Sequence, residues 1–118
     1  MNKAFGGFIR KKREELRKSD SNFSLRKVAI RIGVEPSYLS KIERSELPPP
    51  SEEKIRALSN ELNEDVDILL AMAGKVSTDL QVVIKNRPAL FAKLIREIKD
   101  MPDNAVLRIV REVRDGDW

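Results

Sequence analysis

The sequence lacks both cysteine and histidine. Without cysteine the chain has no disulfide, no thiolate nucleophile and no cysteine-based zinc site. Without histidine it also lacks the usual general base and the preferred transition-metal ligand, so carboxylate chemistry is the one enzymatic route left. We therefore expect no enzymatic activity, no metal site and no cofactor.

Long apolar runs are also absent. The longest runs, at residues 66–73 and 80–84, are interrupted or short, and a bilayer-spanning helix needs roughly 20 apolar residues. Residues 1–8 show no secretory signal. Hydrophobic residues nevertheless make up 41% of the 118 residues, which is enough for a folded core. The expectation is a folded cytoplasmic protein with no membrane partner.

Charge is distributed unevenly along the chain. Residues 1–44 contain twelve Lys and Arg against five Asp and Glu, whereas residues 45–74 contain two against seven. Residues 75–118 contain nine against seven, and the formal net charge of the whole chain is +4. The positive charge is therefore concentrated in the first third, a feature that the modest net charge conceals.

Apolar residues recur at helical spacing throughout the chain, and no strand pattern is present, so the sequence predicts an all-α fold. Five helices fit within residues 1–74 and three more follow. The best-patterned short helix lies between Ser24, a predicted N-cap, and Gly33, a predicted left-handed terminal residue. After a tight turn the next helix begins at Pro36, because proline favours the first helical position.

The first predicted helix carries a dense set of basic residues beside its apolar stripe, and the interpretation we favour for them is a solvated face. In that interpretation Arg10 and Glu14 form an i,i+4 ion pair. The set consists of Arg10, Lys11, Lys12, Arg13, Arg17 and Lys18.

The segment from Ser24 to Arg44 resembles the helix-turn-helix of the phage repressor and Cro family, also called the xenobiotic-response-element family. The residues that carry the resemblance are Val28-Ala29, Gly33-Val34, the block from Ser37 to Arg44, and Pro50-Ser51. The resemblance implies a five-helix lambda-repressor-like DNA-binding domain at residues 1–74. A helical C-terminal extension at residues 75–118 would follow it.

The same resemblance implies a sequence-specific transcriptional regulator whose recognition helix enters the major groove of a double-stranded DNA operator. Its implied base-facing residues are Pro36, Ser37, Tyr38 and Lys41. Its implied phosphate-contacting residues are Arg26, Ser40 and Arg44. Tyr38 has an alternative interpretation as a half-buried aromatic that covers the helix pair.

Four positions depart from the family pattern. Pro36 stands where members often place an adenine-reading glutamine, so the resemblance carries no operator sequence. Leu25 replaces a frequent phosphate-binding glutamine. Glu35 replaces a serine or threonine cap, and its carboxylate would either favour the helix dipole or repel a phosphate. Ser45 stands where a glycine commonly follows the recognition helix, which predicts a strained or wider turn.

The extension carries apolar stripes that exceed what a short appendage needs, which predicts a homodimer interface. A two-fold dimer would suit a palindromic operator, and the first hypothesis is a dimeric repressor. The alternative is an antitoxin-type module that neutralises a partner protein through residues 75–118 and autoregulates its promoter. The predicted dimerisation residues are Leu90, Phe91, Leu94, Ile95, Ile98, Val106, Leu107 and Val110.

Overall fold

A computed structural model describes residues 3–118 of the chain, with side chains from Ala4 onward. This part of the chain contains eight α-helices and no strand, which confirms the all-α prediction. The helices are α1 (Lys3–Arg17), α2 (Leu25–Ile32), α3 (Pro36–Glu43), α4 (Glu52–Leu62), α5 (Val66–Met72), α6 (Thr78–Asn86), α7 (Pro88–Ile98) and α8 (Asp103–Asp115). Helix α1 ends at Arg17, and a short 3₁₀ turn (Ser21–Phe23) follows. None of these helices is long and apolar enough to cross a membrane.

The chain divides into two compact units. The first ends at Ser77 and contains α1 to α5, and the second is Thr78–Trp118 with α6 to α8. The sequence placed the division between residues 74 and 75, so residues 75–77 belong with the five-helix unit by their contacts. All five helices predicted for the first domain are therefore found within one unit.

The core of the first unit draws on all five of its helices. Helices of eight residues, such as α2 and α3, are marginal in isolation, so burial of their apolar stripes must hold them in place. The core thereby fixes α2 and α3 relative to each other. Its fully or nearly fully buried side chains are Phe5, Ile9, Val28, Ala29, Ile32, Leu39, Ile42, Ile55, Leu58, Leu62, Leu69 and Leu70.

Local signals define the ends of α2 and the start of α3, as predicted. The hydroxyl of Ser24 accepts a hydrogen bond from the Lys27 backbone N–H at 3.3 Å, which caps α2. Gly33 ends α2 with φ of 78°, a left-handed conformation that glycine adopts at little cost. Pro36 then occupies the first turn of α3. The short turn between the two helices follows from these three residues.

Helix α1 lies against the end of α3 at a point where only glycine fits. A Cβ atom on Gly6 would overlap the backbone oxygen of Ile42 and lie 3.0 Å from that of Glu43. A Cβ atom on the neighbouring Gly7 would meet nothing within 4 Å. Gly6 is therefore required for the close approach of α1 to α3, whereas Gly7 is not.

Alanine substitutions at these two glycines should have opposite effects. We expect Gly6→Ala to lower the free energy of unfolding by about 1–3 kcal/mol, the usual cost of overpacking. We expect Gly7→Ala to raise it by about 0.5–1 kcal/mol, because alanine is the better helix former where there is room. Urea denaturation of both variants measures the two values. Equal effects at the two positions would contradict the close packing of α1 on α3.

The last residues of the chain fold back onto α8. The indole Nε1 of Trp118 donates a hydrogen bond to the backbone oxygen of Val113 at 2.9 Å. Gly116 permits this reversal, because a Cβ atom there would overlap the indole ring and the backbone oxygen of Glu112. The only tryptophan of the sequence is thus attached to the end of the second unit.

Candidate nucleic-acid interface

Helix α3 buries one face and exposes the other. Its buried residues are Leu39 and Ile42, as predicted, together with Glu43, which was not predicted. Among the seven predicted DNA-binding residues, those that are exposed are Arg26, Ser37, Lys41 and Arg44, and those that are half-buried are Pro36, Ser40 and Tyr38. None of the seven is buried, so all of them remain available for contact.

Tyr38 packs against the edge of the core while its side chain stays partly accessible. This position agrees with the alternative interpretation of Tyr38 as a covering aromatic. A contact between Tyr38 and a base stays a prediction.

Arg44 and Ser40, two of the predicted phosphate-contacting residues, are joined in the structure. The Arg44 guanidinium donates hydrogen bonds to the Ser40 hydroxyl and to the Glu46 carboxylate. Both members of the Arg44–Glu46 ion pair are about half-exposed. The guanidinium of Arg44 is therefore held beside the last turn of α3 while it remains open to solvent.

Arg13 does not lie on a solvated face, so the prediction for this residue was wrong. Its side chain is buried, and Nε and Nη2 donate to the two carboxylate oxygens of Glu43 at 2.7 and 2.9 Å. Nη1 donates to the backbone oxygen of Phe23 at 3.1 Å. The pKa of the guanidinium is raised, chiefly by the hydrogen bonds to Glu43, although burial alone would lower it. The signal was its spacing of four from Ile9 and eight from Phe5 on the buried stripe.

The Arg13–Glu43 pair connects the C-terminal half of α1 to the last residue of α3. A bidentate arginine–carboxylate pair fixes both distance and orientation, because two parallel hydrogen bonds form at once. The pair therefore holds the end of α3 in a defined position against α1. The exposed side chains on α3 are therefore held in a defined position relative to α1 as well.

Arg10 behaves as the sequence predicted in one respect and differently in another. It forms the expected i,i+4 ion pair with Glu14, with Nε 3.1 Å from a carboxylate oxygen. It also lines a small recess together with Leu25, Ser40 and Arg44, whose buried wall is the Arg13–Glu43 pair. The structure thus places Arg10, which was predicted to lie on a solvated face, beside Ser40 and Arg44, two residues that were predicted to contact phosphates.

Two departures from the family pattern have visible consequences. Ser45 has φ of 62°, so it adopts the left-handed conformation that glycine would adopt more easily. The expectation of strain in this turn is therefore met by its backbone. Glu35 lies in the N-cap position of α3 with an extended backbone, and its side chain makes no capping hydrogen bond.

The predicted dimerisation residues lie on α7 and α8, and none of residues 78–118 is buried. Four of them line one open apolar groove: Leu94, Ile98, Val106 and Val110. Ile109, Val113 and Arg114 line the same groove, although the predicted set did not include them. Leu90 and Phe91 lie beside Leu94 in a second, smaller recess. Ile95 and Leu107 are exposed outside both.

Within residues 3–118, no group of three or more acidic side chains is placed to hold a metal ion.

Two short helices joined by a tight turn, the second with an outward polar face, define a helix-turn-helix protein. A family model for the Cro/C1-type helix-turn-helix matches residues 9–69. The chain belongs to this helix-turn-helix family of DNA-binding transcriptional regulators, as its resemblance predicted. Comparisons with curated proteins and with solved structures give no match.

Proposed function

We propose that the protein is a repressor that binds a palindromic operator as a homodimer, with α3 of each copy in the major groove. The observation that carries the proposal is the division of α3 into a buried face, anchored by Leu39, Ile42 and Glu43, and an open polar face. An α-helix fits the major groove, which is about 12 Å wide. A helix fixed from behind can therefore present its outer side chains to base edges.

Two of the proposed DNA-contacting basic side chains are not paired with another side chain in the described part of the chain. Within residues 3–118, Lys41 and Arg26 make no side-chain hydrogen bond or ion pair, whereas Arg44 pairs with Glu46. Lys41 lies on α3, so we assign it to a base edge together with Pro36, Ser37 and Tyr38. Arg26 lies in the first turn of α2, so we assign it to the DNA backbone together with Ser40 and Arg44.

The apolar groove of α7 and α8 supports the dimer. Leu94 and Val110 are 47% and 52% exposed, and apolar area left in water forgoes about 25 cal/mol per Å² of stabilisation. A second copy of the chain would cover this groove with the same groove, as two-fold symmetry requires. Two copies then present two α3 helices to two half-sites of a palindrome.

Selection of bound DNA from a random pool tests the proposed function. We expect the full-length protein to enrich a short inverted repeat and to bind it at least about a thousandfold more tightly than random DNA at physiological salt. Transcription in vitro from a promoter that overlaps the enriched sequence should fall when the protein is added. A pool without an enriched motif would sink the proposal.

Alanine substitutions in α3 then separate base contacts from phosphate contacts. Lys41→Ala and Tyr38→Ala should each cost about 1–3 kcal/mol on the enriched sequence and relax its preference. Arg44→Ala should weaken all sequences alike and reduce the salt slope of binding by about one. Lys85→Ala, in α6, removes the same charge outside the helix-turn-helix and should change neither quantity. Equal losses on specific and random DNA for all three α3-region variants would contradict the assigned roles.

A further inference from the structure

The recess between α1 and α3 brings together donors from distant parts of the sequence. Arg10 contributes from α1, Ser40 from α3 and Arg44 from the residue after α3. The buried Arg13–Glu43 pair forms its inner wall. This wall carries one positive and one negative charge, so it neither attracts nor repels an anion strongly.

The two guanidinium groups at the recess form only weak ion pairs with neighbouring carboxylates. Arg10 pairs with Glu14, and Arg44 pairs with Glu46. All four side chains are about half-exposed, and exposed ion pairs typically contribute only about 0–1 kcal/mol. A phosphate offers guanidinium groups a bidentate, charge-assisted alternative. The Ser40 hydroxyl, beside Arg44, supplies a neutral donor for the same anion.

We propose that Arg10, Ser40 and Arg44 form one binding subsite for a phosphate of the DNA backbone. Glu14 and Glu46 are the intramolecular counterions that this phosphate displaces. The proposal rests on the proposed function, and it adds Arg10 and the two carboxylates to it. The subsite connects α1 directly to the DNA, so the register of α3 in the groove is set from two helices.

Substitution of Arg10 tests the subsite on the operator that selection provides. We expect Arg10→Gln to weaken binding and to reduce the slope of log Kd against log salt by about one, because one phosphate contact is lost. Arg10→Lys keeps the charge and should keep the slope. The matched control is Lys11→Gln, because Lys11 is exposed, follows Arg10 directly and lines a different recess. An unchanged slope for Arg10→Gln, or an equal change for Lys11→Gln, would overturn the proposal.

Removal of the counterions should have the opposite effect. Glu14→Gln and Glu46→Gln should each tighten operator binding severalfold at low salt, because the phosphate no longer competes with a carboxylate. Glu15→Gln, on the same helix, is the control for Glu14→Gln and should leave the affinity unchanged. If Glu15→Gln tightened binding as much as Glu14→Gln, the effect would be one of general surface charge, and the proposed role of Glu14 would be wrong. If the wild-type protein binds no DNA, the proposed function fails together with the subsite. If the wild type binds its operator and the Arg10 variants bind it with unchanged affinity and salt slope, only the subsite fails.

Discussion

Removal of residues 78–118 should abolish dimerisation and lower operator affinity by about 10²–10⁴-fold, while the five-helix unit stays folded. Two linked half-sites benefit from an effective concentration of order mM, which separate monomers lack. The twelve core side chains all precede Ser77, so the truncated chain retains its whole core. Lys75, which donates to the backbone oxygen of Pro50 at 2.9 Å, is retained as well.

Sedimentation gives the oligomeric state of the truncated protein, and titration of half-site and full-site DNA gives its affinities. Half-site binding should change little, because α3 and its supports are intact. Circular dichroism checks that the shortened chain is folded. If it still sediments as a dimer and binds the full operator normally, the interface lies before residue 78. The extension would then be a docking surface for another protein, as the antitoxin hypothesis requires.

A single charge in the groove provides the same test without truncation. Val110→Asp in the full-length chain should disrupt the dimer, because it places a carboxylate in the centre of the proposed interface. Val82→Asp is a matched control: Val82 is also 52% exposed, but it lies on α6, outside the groove. Dissociation by Val82→Asp to the same extent would show that the groove has no special role.

Substitution of Arg13 by methionine should lower the free energy of unfolding by about 3–5 kcal/mol, because it leaves the Glu43 carboxylate buried and unpaired. The double variant Arg13→Met/Glu43→Leu should recover most of this loss, since an apolar pair leaves no buried charge. Urea denaturation of the wild type, the single variants Arg13→Met and Glu43→Leu, and the double variant gives the coupling between the two sites. Arg10→Met is the control: its ion pair with Glu14 is exposed, and such helix pairs contribute only about 0.3–0.5 kcal/mol.

The double variant also tests what the pair does for DNA binding. If Arg13 and Glu43 set the position of α3, the double variant should be stable and yet bind the operator more weakly than the wild type. Arg13→Met costing no more stability than Arg10→Met would contradict a buried, hydrogen-bonded pair. A double variant with normal affinity would show that the core alone positions α3.

The helices and their ends could be predicted from the sequence because their signals are local. Ser24, Gly33 and Pro36 each act through their own backbone or hydroxyl group within one turn. A strained or wider turn at Ser45 was likewise expected from its place after α3, and Ser45 has a positive φ. Such features need no knowledge of distant residues.

The buried ion pair and the recess could not be predicted in this way. Arg13 and Glu43 are 30 residues apart. The helical spacing of Arg13 from Phe5 and Ile9 places it on the apolar stripe, but no local signal identifies Glu43 as its partner. The same holds for Arg10, whose neighbours in the recess come from α2 and α3. The sequence also predicted the apolar residues of α7 and α8 as a set, but not the groove that joins some and leaves Ile95 and Leu107 outside.

The positions of the tyrosine and the tryptophan allow intrinsic fluorescence to report on two different parts of the molecule. The single tyrosine lies on α3, and the single tryptophan is hydrogen-bonded to the end of α8. Excitation at the red edge reports only the indole, so tryptophan emission follows events at the second unit. The phenol of Tyr38 follows events at the DNA-binding helix. Assembly and DNA binding can therefore be observed separately in the unlabelled, unmodified chain.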